Sequence, residues 1–465
     1  MLSGVPTLMQ APVQVQVDAV KGRYVTAAKP YAAGEIVFQD QAFVFATCNG
    51  EDLLELKLRK PTFDQLVDSA HESANEFHPS QHKLFCSLLS VMRGIEIIGE
   101  VDRAKCILKC VTKLLQTPSA LNDMLTLSYA NEPACVQVAQ QLTQKFPAVF
   151  TQVTVPVLAK IIGVLNTNSH ELEALGNFFL RKLIQIFMWR IRGHGVVFVG
   201  VLDGAQLFCK LQVCFTTDGD TLWVTAIRPI EPNEPMSIDY GNMFYRPRQE
   251  RQEHMLRGYG FTCVCHACTE FSDKTRVYQC RLNGCRGLVH PFPTKPMETY
   301  RCMTCQQAWS PAQVQAIVGM EQELEANLPT TYHDILRIEA NTPFHRYHYL
   351  LFWALDNLGL KGAQGLEHDV NTLAAMWSDL ISGMEYVMPD AHHEKTIYYD
   401  QLAQIQVITG DIPGAVEAYE TAYRISCVVS GATTPPTLAL KALMENPPRN
   451  RHDLIARYGS DNMME

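Results

Sequence analysis

The stretch "YGFTCVCHACT", Tyr259 to Thr269, sets Cys263, Cys265 and Cys268 at C-x-C-x-x-C spacing behind an aromatic pair. Zinc takes four ligands in a tetrahedron, and thiolates one and two residues apart bend a short loop around such an ion. Three local cysteines are one ligand short, so the fourth has to come from elsewhere in the chain. Cys209 and Cys214, just ahead of a β-type run, are the candidates, with His266 inside the loop as a third. A second cluster is complete by itself. Cys280 and Cys285 in "CRLNGCRG", with Cys302 and Cys305 in "CMTC", have the pattern of a small zinc ribbon. Four thiolates suffice there, so His290 reads as a loop residue outside the ligand set.

The clusters account for only part of the 15 cysteines. Cys86, Cys106, Cys110 and Cys135 fall in a helical stretch without any C-x-x-C pair and read as buried thiols, since cysteine is among the most buried residue types. The N-terminal stretch lacks the basic segment and long apolar run of a signal peptide. Many thiols and no secretion signal lead us to expect a reducing, cytoplasmic or nuclear setting. The longest apolar run, 193–202, is too short to span a bilayer. The net charge of -9 argues against direct nucleic-acid binding and makes a protein the expected partner. A nucleic-acid-binding zinc ribbon would also need interleaved basic and aromatic residues, which are missing.

Hydrophobic periodicity divides the chain. Residues 12–50 alternate in short β-type runs, "VQVQV", "RYVTAA", "EIVFQ" and "AFVFA", with a turn ending at Gly34. Residues 51–160 change to apolar spacings of three and four, the mark of helices packed on one another. Strand texture returns at 196–240, inside a segment 161–258 that closes the β-rich unit, where two β runs are split by "TDGD" and followed by the loop "EPNEP". The β-rich unit is therefore discontinuous, with a helical block inserted in it. Residues 259–308 hold the cysteines, and 309–465 read as helical to the end. In that last part "GDIPG" separates two helices with small residues at Ala415 and Ala422, which resembles one tetratricopeptide unit, although no clean 34-residue period precedes it. The expected class is α+β.

Four motifs in order, "KGRYVTAAKPYAAGEIVFQDQAFVFA", "NTNSHELEALG", "AIRPIEPNEPMSIDYGN" and "YGFTCVCHACT", resemble the SET-domain lysine methyltransferases, particularly the SET-and-MYND group. The resemblance covers most of the chain. It implies a β-rich SET fold with a helical insert, zinc-binding post-SET segments and an all-helical C-terminal domain. It further implies methyl transfer from S-adenosylmethionine to a lysine of a protein substrate, histone or non-histone. Tyr240 matches the family tyrosine whose hydroxyl sits by the transferring methyl, Tyr259 the tyrosine lining the lysine channel, and Phe261 the aromatic that packs on the cofactor. Asn168, with Asn166 beside it, matches the asparagine at the cofactor. Lys21, Gly22 and Arg23 match the loop cradling the cofactor's methionine end, with Tyr24 in place of a usual second glycine.

Two departures bear on activity. No MYND finger is visible between Phe45 and Pro156. The family segment N-H-S-C-x-P-N, which supplies an asparagine and a histidine to the cofactor and the fourth cysteine to the post-SET zinc, is missing between "GAQLFCKLQ" and "VCFTTDG". An inactive SET-fold scaffold for protein contacts is therefore the alternative to an enzyme.

Overall fold

The computed structural model describes residues 13–18, 22–44, 87–92, 94–98, 101–125, 129, 131–150, 152–172, 185–189, 212–218, 221–237, 243–259, 262–263, 266–269, 272–294, 298–363 and 369–458. Within them the chain is an α+β protein. β1 (Val13–Asp18) and β2 (Gly22–Ala27) form an antiparallel hairpin from Val13↔Ala27 to Asp18↔Gly22. β3 (Ile36–Val44) is one strand where the sequence suggests two, because "FQDQAF" contains no residue that breaks a strand.

After β3 come three principal helices, α1 (Val101–Gln116), α2 (Glu132–Lys145) and α3 (Val155–Asn168), with shorter turns between them. They carry their own core. Ile107, Val111, Leu142, Phe150, Ile161 and Leu165 are buried in it, together with Cys106, Cys110 and Cys135. Burial pushes the Cys110 thiol well above its ordinary range, which suits an inert core cysteine.

The chain then returns to the sheet through β4 (Ser169–Leu172), β5 (Gln185–Trp189), β6 (Val213–Asp218) and β7 (Thr221–Ala226). The five-stranded sheet has the order β4-β5-β3-β7-β6, antiparallel throughout. Its central pairing runs from Ile36↔Thr225 to Gln41↔Thr221 and joins strands on either side of the helical block. β6 and β7 pair as far as Asp218↔Thr221, leaving the "GD" of "TDGD" as the connection. β2 is tied to the segment after β7 by hydrogen bonds from Ala27 N to Glu234 O (3.0 Å) and from Met236 N to Val25 O (2.9 Å).

α4 (Arg248–Tyr259) leads into the cysteine region, where β8 (Tyr278–Gln279), β9 (Leu288–Phe292) and β10 (Thr299–Cys302) make a small antiparallel sheet of order β10-β9-β8. Eight helices follow: α5 (Pro311–Ala326), α6 (Tyr332–Asn341), α7 (Tyr349–Ala363), α8 (Val370–Val387), α9 (His393–Thr409), α10 (Ile412–Ser426), α11 (Pro435–Glu445) and α12 (Arg451–Tyr458). α5 starts at a reciprocal cap, in which Gln313 N donates to Ser310 Oγ (3.3 Å) and Ser310 N to Gln313 Oε1 (2.9 Å). α9 ends where Gly410 turns left-handed. α10 then returns along it with Ala415, Ala418 and Ala422 buried, small side chains that let two helices lie close. No described helix is long and apolar enough to cross a membrane.

The helical region is joined to the sheet at a π-turn, Cys427–Gly431. Thr216 Oγ1 donates to Ser430 Oγ (2.9 Å) in a buried contact. Gly431 has φ +90°, and a Cβ there would lie 2.7 Å from Ile36 Cγ1; a Cβ on Gly34 would lie 2.8 Å from the Cys427 carbonyl. At Gly34 the turn meets backbone against backbone, and at Gly431 it closes on the Ile36 side chain. Farther on, the buried Asp400 accepts from Tyr458 Oη (2.7 Å) and Gln404 Nε2 (2.7 Å), locking α12 onto α9. A phenol has one proton, so in the 3.2 Å contact between Tyr458 and Tyr419 the donor is Tyr419. Burial raises the Asp400 carboxyl to about 6.

Two expectations follow. Gly431→Val should destabilise the protein by roughly 2–4 kcal/mol, from a strained φ and overpacking together. Gly319→Ala, in α5 with open space around it, should be neutral or stabilise by up to about 1 kcal/mol, both read by denaturant unfolding. For Asp400 the folded pKa lies above the unfolded one, so its contribution is most favourable at low pH and is lost as pH rises from about 4 through about 6. Asp400→Asn should then gain on the wild type at pH 8, and that gain should shrink by about 2 kcal/mol at pH 4.5.

Candidate functional site

β8 to β10 are only two to five residues long, too little sheet to stand alone, yet they hold the densest group of metal-type ligands among the described residues. The sulfurs of Cys280, Cys285, Cys302 and Cys305 all lie within 4.8 Å of one another. Cys280 Sγ is 3.8 Å from Cys305 Sγ, and Cys285 Sγ is 3.8 Å from Cys302 Sγ. With metal–sulfur bonds of about 2.3 Å, the edge of a tetrahedron of thiolates is about 3.8 Å, so the four residues fit a tetrahedral ion.

The loops are shaped for this. Asn283 and Gly284 both take positive φ, which curls the chain between Cys280 and Cys285. Gly287 is required for approach, because a Cβ there would meet Thr304 Oγ1 and lie 2.7 Å from Cys302 Sγ. Backbone N–H groups point at the sulfurs: Gly287 N to Cys285 (3.3 Å), and Thr304 N and Cys305 N to Cys302 (3.4 and 3.5 Å). Burial opposes ionisation of Cys302, but these donors outweigh it and lower the thiol to about 7, whereas burial and the neighbouring sulfurs raise Cys280 to about 12. Thiols this close ionise against one another, and a divalent cation removes the conflict.

His290 lies in β9 and is not a loop residue. It is buried, and its Nε2 is 2.6 Å from Tyr386 Oη. Burial lowers its pKa to about 4. It takes no part in the cysteine group, as expected from the sequence.

The ribbon rests on the helices through a buried polar network that sequence reading missed. Arg276 donates to Glu321 from Nε (3.0 Å) and Nη2 (2.6 Å), to Glu298 from Nη1 (2.8 Å) and to Tyr300 Oη (2.6 Å). Tyr278 Oη donates to Glu321 (3.2 Å), and His348 Nε2 lies 3.2 Å from Glu321 Oε1 without hydrogen-bond alignment. Burial works against the Glu321 carboxylate, but His348 and Arg276 outweigh it and hold the group down at about 2. No local spacing marks this group, since its members come from the turn before β8, β8 itself, β10 and the residue ahead of it, α5, and the residue ahead of α7.

Segments adjoining some of the other expected site residues pack around the sheet. Val25, Met236, Met255, Cys263 and Cys268 share one core with β3, β6 and β7. That core therefore joins the strand opened by Gly22 and Arg23, the segment leading toward Tyr240, the helix that ends at Tyr259, and two of the three clustered cysteines. Gly22 and Arg23 are in strand rather than loop positions. α3, which ends at Asn168, packs against α4. The side chains of Arg23, Asn168 and Tyr259 lie outside the described part of the structure, as do residues Lys21, Cys86, Cys209, Tyr240, Phe261 and Cys265. Asn166 Nδ2 donates to Ile97 O (2.7 Å), while its Oδ1 is buried without a partner among the described residues. Cys263 and Cys268 are buried, and among the described residues they form no three-ligand group with Cys214, which sits in β6.

Protein prepared without chelators should carry a tightly held divalent ion in the ribbon. Cys302→Ser should lower metal content by one equivalent per chain and destabilise the chain, measured by elemental analysis and thermal unfolding; unchanged metal content would exclude this centre.

No family model matches the chain. Among curated proteins it is similar to the SET domain-containing protein SmydA-8 of Drosophila melanogaster. Isoform A is 22% identical over 333 residues, covering 64% of this chain and 65% of that protein. Isoform B is 23% identical over 321 residues, covering 63% and 67%. The matched stretch spans about two thirds of the length of these relatives. A solved structure, the SET domain of LSMT bound to lysine and AdoHcy, aligns over 97% of this chain and 91% of that one, at 10% identity and a TM-score of 0.27, a likeness too slight to bear on fold or chemistry. The curated relatives of this chain are thus SMYD-like SET-domain proteins.

Proposed function

We propose that this chain transfers a methyl group from S-adenosylmethionine to a lysine side chain of a protein substrate, with zinc held by Cys280, Cys285, Cys302 and Cys305. The observation that supports it best is the shared core of β2, β3, β6, β7, α4 and Cys263, in a chain similar to SET-domain proteins. Three of the four motifs scattered along the sequence contribute residues to that one core.

When bound, the cofactor supplies an electrophilic methyl on a cationic sulfonium. The protein's part is to hold an uncharged amine in line with it. A free lysine has a pKa near 10.4, so at neutral pH its amine must shed a proton, which an apolar, tyrosine-walled channel favours by desolvating the ammonium form. Tyr259 would line that channel, and Tyr240 would set its hydroxyl beside the methyl, where oxygen acceptors make weak C–H contacts. Lys21, Gly22, Arg23, Asn168 and Phe261 would hold the cofactor. The Asn166 Oδ1, without a partner among the described residues, is a buried acceptor that a cationic amino group could satisfy. Cys263, Cys265 and Cys268 would hold a second zinc, with Cys209 as fourth ligand. The helical region would bound the substrate cleft.

One observation favours a second reading, a SET-fold scaffold without activity: the Asn-His pair that family members bring to the cofactor has no counterpart between Leu207 and Cys214. Calorimetric titration of the zinc-loaded protein with S-adenosylmethionine separates the two. The enzyme reading expects one-to-one binding and a Tyr240→Phe variant that binds normally but loses at least about tenfold in methylation rate. A folded protein that takes up no cofactor would leave the scaffold.

A further inference from the structure

The four sulfurs of the ribbon differ sharply in access. Cys280 and Cys302 are buried at 2% and 0% exposure, Cys285 is half-buried, and Cys305 is exposed. The tip carrying Cys305 also exposes Met303 at 48%, and Gln306 follows in a left-handed turn. A solute arriving from water meets Cys305 first. Directly behind it, at 3.8 Å, lies the sulfur of Cys280, while Cys285 and Cys302 are paired with each other at the same distance.

We propose that Cys305 is a peroxide-reactive thiolate whose oxidation, completed by Cys280, ejects the metal from the ribbon. This rests on the zinc reading given above. In the first step the Cys305 sulfur attacks a peroxide oxygen, the O–O bond breaks, hydroxide leaves, and a sulfenic acid remains. In the second the Cys280 thiolate attacks that sulfur, an S–S bond forms, and a second hydroxide leaves. Overall, two thiolates lose one electron each, the peroxide gains two, and two protons from the buffer convert the two hydroxides to water. Only Cys285 and Cys302 then remain as thiolates, too few to hold a tetrahedral ion.

The position gives the reaction a consequence beyond the ribbon. Cys280 and Cys302 belong to the same buried core as Tyr278, Tyr300, Leu351 and Phe352, so a metal-free ribbon loosens the seat of α5 and α7. Oxidation at an exposed tip would thus reach the attachment of the helical region.

The test is hydrogen peroxide titration of metal-loaded, full-length protein. Released zinc is followed with a chromogenic indicator, and thiols and disulfides are mapped by mass spectrometry. The expected result is loss of one zinc per chain in step with a Cys280–Cys305 disulfide, reversed by a dithiol and added zinc. Cys305→His, which keeps a ligand but cannot form the disulfide, should hold the metal and slow its release by about tenfold or more. Met303 is a built-in measure of dose. Its conversion to sulfoxide while Cys305 stays reduced and the zinc stays bound would overturn the proposal, as would a disulfide confined to another pair. A protein with no zinc in the ribbon before peroxide is added overturns the metal reading itself, and the metal content at the start distinguishes the two failures.

Discussion

The pairing of β3 with β7 is the constraint on which the rest of the molecule depends. It joins strands separated by the whole helical block, and everything after β7 is placed by it: the segment that crosses back to β2, α4, the cysteine region and the π-turn that returns from the far end of the chain. Closing so long a loop is less costly than its length suggests. The entropy of closure grows only logarithmically, about 0.6 kcal/mol per doubling. A block with its own buried core, as α1 to α3 have, can therefore be carried in the connection without undoing the sheet.

The helical region is fixed to this frame at two places remote in sequence. At one, the ribbon sits on α5 through Arg276 and Glu321, ions whose burial costs more than an isolated contact would return unless every partner is in place. Glu321 has Arg276, Tyr278 and His348 around it, and Arg276 has Glu298 and Tyr300 as well. At the other, Gly34 lets the π-turn backbone approach directly, and Gly431 leaves room for the Ile36 side chain against the turn.

How much of this was legible in the sequence varied with the range of the interactions. The ribbon was legible because ligand number and spacing are local, and the sulfurs of Cys280, Cys285, Cys302 and Cys305 converge as their spacing required. The hairpin of α9 and α10 was legible too, from "GDIPG" and the small residues after it. The discontinuous sheet showed as a change of period from two to three-and-four and back. What remained hidden was long-range. Gln185–Trp189 lies ahead of the run at 196–240 where strand texture shows in the sequence, and it becomes a strand by pairing with β3 and β4. His290 looks like a loop residue until β9 and Tyr386 enclose it. The Arg276 network has no spacing at all, and nothing in "CVVSG" announces a π-turn against a sheet.

The central claim is that the residues around the β2, β7 and α4 core frame a methyl-donor site. Hydrogen exchange with and without S-adenosylmethionine tests it directly, because it reads backbone protection segment by segment. The account predicts slower exchange in Gly22–Ala27, at the end of α3 around Asn168, and from Met236 through Cys263, with α8 to α12 unchanged. Protection absent from all three segments, or confined to the C-terminal helices, would contradict it.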